Sequence, residues 1–118
     1  MTDSSITQHV WVLAQLAGDD GNLTDALPDV EATLEFAEDR VGGSASCNRF
    51  TTSGELTELP DAMALTMMMC PEPVMAQERR YLALLHAIES VEIDGGLLVA
   101  RDTADSPILI WRANQSAI

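Results

Sequence analysis

Apolar and polar side chains alternate along much of the chain, a period that is typical of half-buried β-strands. Residues 9–16 are rich in strand-forming side chains, and residues 32–36 alternate leucine and phenylalanine with polar neighbours. Residues 40–48 are predicted as a further strand, in which two glycines indicate a bend or a bulge. Residues 23–30 show no such pattern and are predicted to form a loop.

An apolar run occupies residues 63–70 and contains three consecutive methionines. Its length and the prolines that follow it favour a short buried strand. In a strand, Met67 and Met69 share one face and Met68 points to the other. Packing in the core is the preferred interpretation. A methionine-lined groove for an apolar ligand is the alternative, because methionine adapts to varied shapes.

Residues 74–90 are predicted to form one long amphipathic helix. Its apolar residues include Tyr81, Leu85 and Ile88, which are spaced for a single helical face. Pro73 precedes the segment, and proline is favoured in the first turn of a helix. We expect this helix to cover one face or opening of a sheet.

The pattern after the helix predicts a three-stranded meander. An Asp94-Gly95 pair between two β-forming runs signals a hairpin, and residues 107–111 form the last predicted strand. The predicted fold class is therefore α+β, mainly β. It is an antiparallel curled sheet or partial barrel of about seven or eight strands, with one long helix at about residues 74–90.

The length of 118 residues suits one domain. We predict a flexible N-terminus over residues 1–9, a single domain over residues 10–112 and a tail over residues 113–118. No stretch is apolar for long enough to span a bilayer. Residues 1–8 lack the features of a signal peptide, so the chain is expected either to stay in the cytoplasm or to begin after a removed signal.

The charge of the chain is strongly unbalanced. It has 19 acidic residues and 6 basic ones, all arginine, for a net charge of −13. Such a surface repels nucleic acid and anionic membranes, since both are bound through lysine and arginine. Solubility is the preferred interpretation of this charge, and a cationic protein partner is the alternative.

The two cysteines, Cys47 and Cys70, have three interpretations at this stage. They are small buried hydrophobic residues, or a disulfide between two neighbouring strands, or reactive thiols. A nucleophilic cysteine needs a base such as histidine, and His9 and His86 are the only histidines. His86 shares a polar helical face, so catalysis is the least favoured of the three.

No other motif indicates a reaction or a cofactor. The chain has no Cys-x-x-Cys or His-x-x-x-His spacing, no calcium-loop pattern, no phosphate-binding loop and no dinucleotide fingerprint. We therefore expect no catalytic residue, no metal ligand set and no cofactor.

Three segments together resemble the META domain, or HslJ-like, family. The family pattern is a Gly-rich strand ending in Gly-Cys-Asn-Arg-Phe, a Thr-x-Met-x-Cys segment and a helix that begins near a glutamate. The resemblance covers about residues 10–112, and Ser46 departs from it where the family usually has glycine. The residues that carry the resemblance are Gly43, Cys47, Asn48, Arg49, Phe50, Thr66, Met69, Cys70 and Glu78.

The resemblance implies an antiparallel, barrel-like sheet with a helix, in a bacterial envelope protein linked to heat shock and stress. No enzymatic activity is implied. In an oxidising envelope, a disulfide between Cys47 and Cys70 becomes the favoured interpretation of the pair. The leading hypothesis is a non-enzymatic, stress-associated protein of the cell envelope or periplasm.

Two other functions are kept as alternatives. One is a carrier of an apolar ligand, or a chaperone for lipoprotein tails, that uses the interior of the barrel. The other is an inhibitor or binder of a cationic protein, which the net charge of −13 suggests.

Overall fold

The structure is a computed structural model that describes residue 6, residues 9–60 and residues 62–114. Within these residues the chain forms nine strands and one α-helix. The elements are β1 (Trp11–Ala17), β2 (Leu23–Asp25), β3 (Thr33–Ala37), β4 (Arg40–Ser44), β5 (Arg49–Ser53), β6 (Ala64–Leu65), α1 (Glu72–Leu85), β7 (Ser90–Asp94), β8 (Leu97–Arg101) and β9 (Pro107–Ala113).

The strands form one antiparallel sheet in the order β6-β5-β4-β3-β1-β9-β8-β7, and β2 pairs with the end of β1. Strands β6 and β7 are the two edges of this order. A register shift between Leu13 and Gln15 interrupts the pairing of β1 with β9, and such irregularities increase the local twist of a sheet. The predicted fold class, α+β and mainly β with a curled antiparallel sheet, is confirmed.

The core is built around a row of aromatic rings. Phe50 on β5, Tyr81 on α1 and Trp111 on β9 are almost fully buried and meet edge to face, with centroids 6.1 and 6.4 Å apart. Trp111 Nε1 donates a hydrogen bond to the Tyr81 hydroxyl, which donates to the carbonyl of Thr33 on β3. The helix is thus fixed to both halves of the sheet through one tyrosine.

The helix is shorter than the predicted segment 74–90. It begins at Glu72, with Pro71 as its N-cap and Pro73 in its first turn, and it ends at Leu85. The chain then turns, and Ile88 still reaches the core. The predicted helix was too long because Ile88, in the linker to β7, is buried like the apolar residues of the helix and continues their spacing.

The predicted strand 40–48 ends earlier, at Ser44. The chain reverses at residues 45–48 and continues as β5, which the sequence pattern did not predict. Ser46 in this reversal has a backbone φ of 124°, a value that a strand cannot contain. The predicted loop 23–30 was also wrong in part, since it contains the short strand β2.

The expectation that the methionine run packs in the core is wrong. Only Ala64 and Leu65 of the predicted strand 63–70 form β6. Met67, Met68 and Met69 are 89%, 57% and 89% exposed. An apolar run predicts burial only if a neighbouring layer covers it, and no described element covers this edge.

The ends of the chain lie partly outside the described residues. Of the predicted flexible segment 1–9, Ile6 is buried, and its carbonyl accepts a hydrogen bond from Trp11 Nε1 at 2.8 Å. Of the predicted tail 113–118, Ala113 closes β9. Residues 1–5, 7–8 and 115–118 are outside the described part, so flexibility there stays a prediction. None of the described helices is long and apolar enough to cross a membrane.

Candidate functional site

The turn between β4 and β5 is anchored to the helix by Glu78. Glu78 Oε1 accepts hydrogen bonds from the backbone N–H groups of Cys47 and Asn48, at 3.0 and 2.6 Å. Its Oε2 accepts a third from the side-chain amide of Asn48, at 2.8 Å. Glu78 is only 3% exposed, and hydrogen bonds to a carboxylate are among the stronger ones in proteins. Glu78 therefore fixes the turn to α1.

Asn48 connects the same turn to the chain that follows β6. Its Oδ1 accepts from the Thr66 hydroxyl at 3.0 Å and from the N–H of Met68 at 2.5 Å. Its amide also donates to the carbonyl of Met68, at 3.3 Å. The side chain of Asn48 thus bonds to the backbone N–H and C=O of Met68 as a neighbouring strand would. One amide proton of Asn48 goes to Met68 and the other goes to Glu78, so both are used.

Gln77 forms a second link between the helix and the sheet. Its Oε1 accepts from the backbone N–H of Leu27 at 2.8 Å, and its Nε2 donates to the Ser46 hydroxyl at 3.0 Å. The sequence analysis missed this residue. Its signal was available, since Gln77 lies four residues before Tyr81 and shares the buried face of α1.

The structure joins Cys47 and Cys70 in a disulfide, with the two Cα atoms 6.1 Å apart. The bridge runs between the β4–β5 turn and the residue before Pro71, where the helix begins. It therefore connects the same two segments as the side chain of Asn48. The sequence separation of 23 residues encloses β5 and β6 in the closed loop.

Asn48, Thr66, Glu78 and the disulfide form one cluster, and the remaining motif residues lie apart from it. Gly43 has a φ of 148°, and a Cβ atom there would lie 2.4 Å from the carbonyl oxygen of Thr33. Phe50 packs in the core, whereas Arg49 lies on the outer face of the sheet and pairs with Glu35 at 3.2 Å. Met69 is exposed and belongs to neither the cluster nor the core.

The polar side chains of the cluster hold the β4–β5 turn, the chain after β6 and the helix together. Among the described residues, no buried side-chain nitrogen or oxygen lacks a hydrogen-bond partner. The ring nitrogens of His86 lie 3.1 and 2.9 Å from the carbonyl oxygens of Leu82 and Pro60, and His86 is far from Cys47 in sequence. In the described part of the chain, no three His, Cys, Asp or Glu side chains come together as metal ligands would.

A cavity of about 540 Å³ opens at one end of the curled sheet. Its lining comes from the β3–β4 hairpin, residues 54–57, Ile6 and Val91 of β7, and exposed acidic side chains lie at its rim. The apolar lining residues are Ile6, Phe36, Val41, Leu56 and Val91, the acidic ones are Glu38, Asp39 and Glu55, and the basic one is Arg40. We name this cavity the mouth pocket. The interior of the sheet, which one of the alternative functions would use for an apolar ligand, is occupied by large buried side chains.

Burial perturbs one ionisable group strongly. Desolvation raises the pKa of the Tyr81 hydroxyl well above its ordinary value, and the hydrogen bond from Trp111 opposes this shift only in part. At the surface, hydrogen bonds from the backbone and side chain of Asn22 lower the pKa of Asp20. Neither group lines the mouth pocket, so both report on folding rather than on binding.

Comparisons with known proteins agree with this architecture. The chain is similar in structure to a protein from Burkholderia xenovorans solved by NMR, with a TM-score of 0.70, 20% identity, and coverage of 96% of this chain and 89% of that one. A second NMR structure has a TM-score of 0.63 and 23% identity, and the match covers 95% of each chain. These likenesses show a shared fold.

No curated protein is significantly similar to the chain in sequence. The META domain family matches residues 4–115, which is nearly the whole chain. The cluster of Asn48, Thr66 and Glu78 lies within that span. The chain therefore belongs to the META domain family.

Proposed function

We propose that this META domain protein acts without catalysis, as a binding domain of the cell envelope whose mouth pocket takes an apolar group that carries positive charge. The observation that carries the proposal is the mouth pocket itself, an apolar cavity of about 540 Å³ with acidic side chains at its rim. Small-molecule sites are typically concave, mostly apolar and of this size.

The lining of the pocket carries three carboxylates and one guanidinium, so its net charge favours a cationic amphiphile over a neutral or anionic one. Its floor is formed by aliphatic and aromatic side chains such as Phe36, Leu56 and Val91. Glu38 and Asp39 are exposed at the turn above it, and the whole chain carries a net charge of −13. A positive group at the rim would be attracted both locally and by the field of the whole protein.

The state of the cysteines and histidines supports a non-enzymatic role. Both thiols are in the disulfide, so neither is available as a nucleophile. His9 packs against Trp11, and the two ring nitrogens of His86 lie within 3.1 Å of backbone carbonyl oxygens. A hydrolase or transferase would need a nucleophile with a base in reach.

The disulfide also supports an envelope location, because disulfides persist in oxidising compartments and are rare in the cytoplasm. The association with stress comes from the family resemblance. Fractionation of cells of the source organism tests the location. Recovery of the protein with the periplasmic or envelope fraction is expected, and recovery with free thiols from the cytoplasm would contradict it.

The binding proposal is tested with three detergents of equal alkyl length, below their micelle concentrations. An alkyl trimethylammonium should shift the amide NMR signals of Phe36, Val41 and Val91. An uncharged alkyl maltoside should bind more weakly, and an alkyl sulfate should bind least, since the rim repels it. Equal shifts with all three detergents would show that charge does not decide binding. The absence of a shift at these residues would contradict binding in the mouth pocket.

Variants separate the rim from the general charge of the protein. Glu38→Gln with Asp39→Asn should weaken binding of the cationic detergent several-fold, and asparagine tolerates the φ of 58° at position 39. Asp29→Asn with Glu31→Gln removes the same charge from an exposed loop and is the matched control. Equal weakening by the two double variants would show that only net charge matters.

A second candidate is a protein that binds a cationic protein, and the net charge of −13 favours it. Such binding would be fast and would weaken steeply with added salt. Titration with a basic protein at low and high ionic strength tests this candidate. The absence of binding at low salt would remove it.

A further inference from the structure

Residues 62–71 form an exposed stretch of ten residues without a charged side chain. Every one of them is exposed or half-buried, and Met67 and Met69 are among the most exposed apolar residues of the described chain. Contiguous exposed apolar surface on a folded protein typically marks an interaction site. We name this stretch the β6 segment.

The backbone of the β6 segment presents hydrogen-bonding groups at the free edge of the sheet. The N–H of Thr66 donates to the carbonyl of Arg49, and both backbone groups of Met68 bond to the side chain of Asn48. Alternate residues of an antiparallel strand direct their N–H and C=O groups to opposite sides. Leu65 and Met67 therefore direct theirs outward, on the side of β6 where the described part of the chain places no further strand.

This edge lacks the features that normally prevent strands from associating. Proteins protect free edges with lysine, inward charges, proline or bulges, and residues 62–70 contain none of these side chains. The segment is also held in place from behind by Asn48 and by the disulfide at Cys70. A preorganised edge loses little conformational entropy when another strand is added.

We propose that the β6 segment pairs antiparallel with the β6 segment of a second copy of this chain. Pairing about a two-fold axis at Thr66 would place Leu65 of each copy opposite Met67 of the other, so that their outward N–H and C=O groups satisfy one another. Met67 and Met69 of both copies would then lie on one face of the extended sheet.

Charge selects a second copy over a basic partner at this surface. The β6 segment is uncharged, so two copies bring no like charges directly opposite each other within the new strand pair. It also offers no carboxylate to a cationic partner. The rest of each molecule, at −13, opposes approach at long range, and salt screens that repulsion.

The test is sedimentation equilibrium of the intact oxidised chain from low salt to about 1 M salt, where the Debye length is about 3 Å. Dimers should increase as salt is added. Amide hydrogen exchange at Leu65 and Met67 should slow on dimerisation. A monomer at every salt concentration, or association that weakens with salt as a basic partner would produce, overturns the proposal.

Met67→Lys should weaken dimerisation at least tenfold without changing the melting temperature, because Met67 is 89% exposed. Ile93→Lys places the same charge on β7, the opposite edge of the sheet, and is the matched control. Both variants lower the net repulsion equally, so a loss confined to Met67→Lys locates the interface. Equal effects of the two variants, or a dimer that leaves the amides of Leu65 and Met67 unprotected, place the interface elsewhere.

Discussion

At the scale of single residues, Ser46 stands where the family pattern usually has glycine. Its φ of 124° lies in a region that glycine occupies freely and other residues occupy at a cost of about 1–3 kcal/mol. The serine hydroxyl accepts a hydrogen bond from Gln77. Serine at this position therefore combines backbone strain with a bond to the helix that glycine could not make.

Two substitutions at Ser46 separate these effects. Ser46→Ala keeps the strain and removes the bond, and should lower the free energy of unfolding by about 1 kcal/mol. Ser46→Gly removes both, and should be more stable than Ser46→Ala by about 1 kcal/mol. Urea unfolding followed by tryptophan fluorescence measures the difference.

The control lies on β5, where Ser53 has an ordinary strand conformation. There the order should reverse, with Ser53→Gly less stable than Ser53→Ala, because glycine weakens a strand. A higher stability for Ser46→Ala than for Ser46→Gly would contradict the strain.

At the scale of elements, the apolar pattern predicted the helix and most of the longer strands, whose side chains pack into the core. It located α1, which buries Tyr81 and Leu85 at i, i+4 spacing, and it located β1, β3 and the β7–β8 hairpin from their strand-forming residues and turn signals. It missed β5 because residue 46 in the reversal is serine. A glycine there would have signalled a turn between two strands. It placed the methionines in the core because a local pattern does not state which segments lie at a sheet edge.

The candidate site was also predicted only in part. The family motif identified Asn48, Thr66 and Glu78, and the structure brings these three together. Gln77 was missed although its i, i+4 spacing to Tyr81 marks the buried face of α1. The mouth pocket was not predicted because it is formed where segments distant in sequence meet. Long-range pairing of this kind leaves no spacing along the chain that can be recognised.

The link between the β4–β5 turn and the start of α1 leads to a prediction about the cysteines. The native protein should resist thiol alkylation, and reduction should add two hydrogens to its mass. Closing a loop of this length stabilises a protein by about 3 kcal/mol in the chain-entropy description. Cys47→Ala with Cys70→Ala should lower the free energy of unfolding by about that amount.

The double variant should still fold, because the hydrogen bonds from Cys47 N and Asn48 to Glu78 do not involve sulfur. Circular dichroism and urea unfolding check both points. Alkylation of native, unreduced protein would show that the bridge is not formed in solution.

At the scale of the whole molecule, Tyr81 couples folding to alkaline pH. Burial raises its pKa above the ordinary value of 10.0, so the folded state keeps the phenolic proton that the unfolded state loses. The stabilisation is complete below pH 10 and is lost as the pH rises above it. The free energy of unfolding should therefore fall in this range, because the unfolded state binds fewer protons.

The composition makes this transition unusually easy to isolate. Tyr81 is the only tyrosine of the chain, there is no lysine, and both cysteines are bridged. Absorbance at 295 nm should show no phenolate in the folded protein near pH 10, and a normal titration in about 6 M guanidinium. A half-titrated tyrosine near pH 10 in folded protein would contradict the burial of its hydroxyl.

Tyr81→Phe distinguishes this coupling from a general effect of net charge. The variant should lose about 1–3 kcal/mol at neutral pH, since Trp111 Nε1 and the carbonyl of Thr33 lose their partner. Its stability should then stay nearly flat above pH 10, whereas that of the unmodified chain falls. A parallel decline in both proteins would instead assign the alkaline loss to repulsion among the acidic residues, because that repulsion is the same in both.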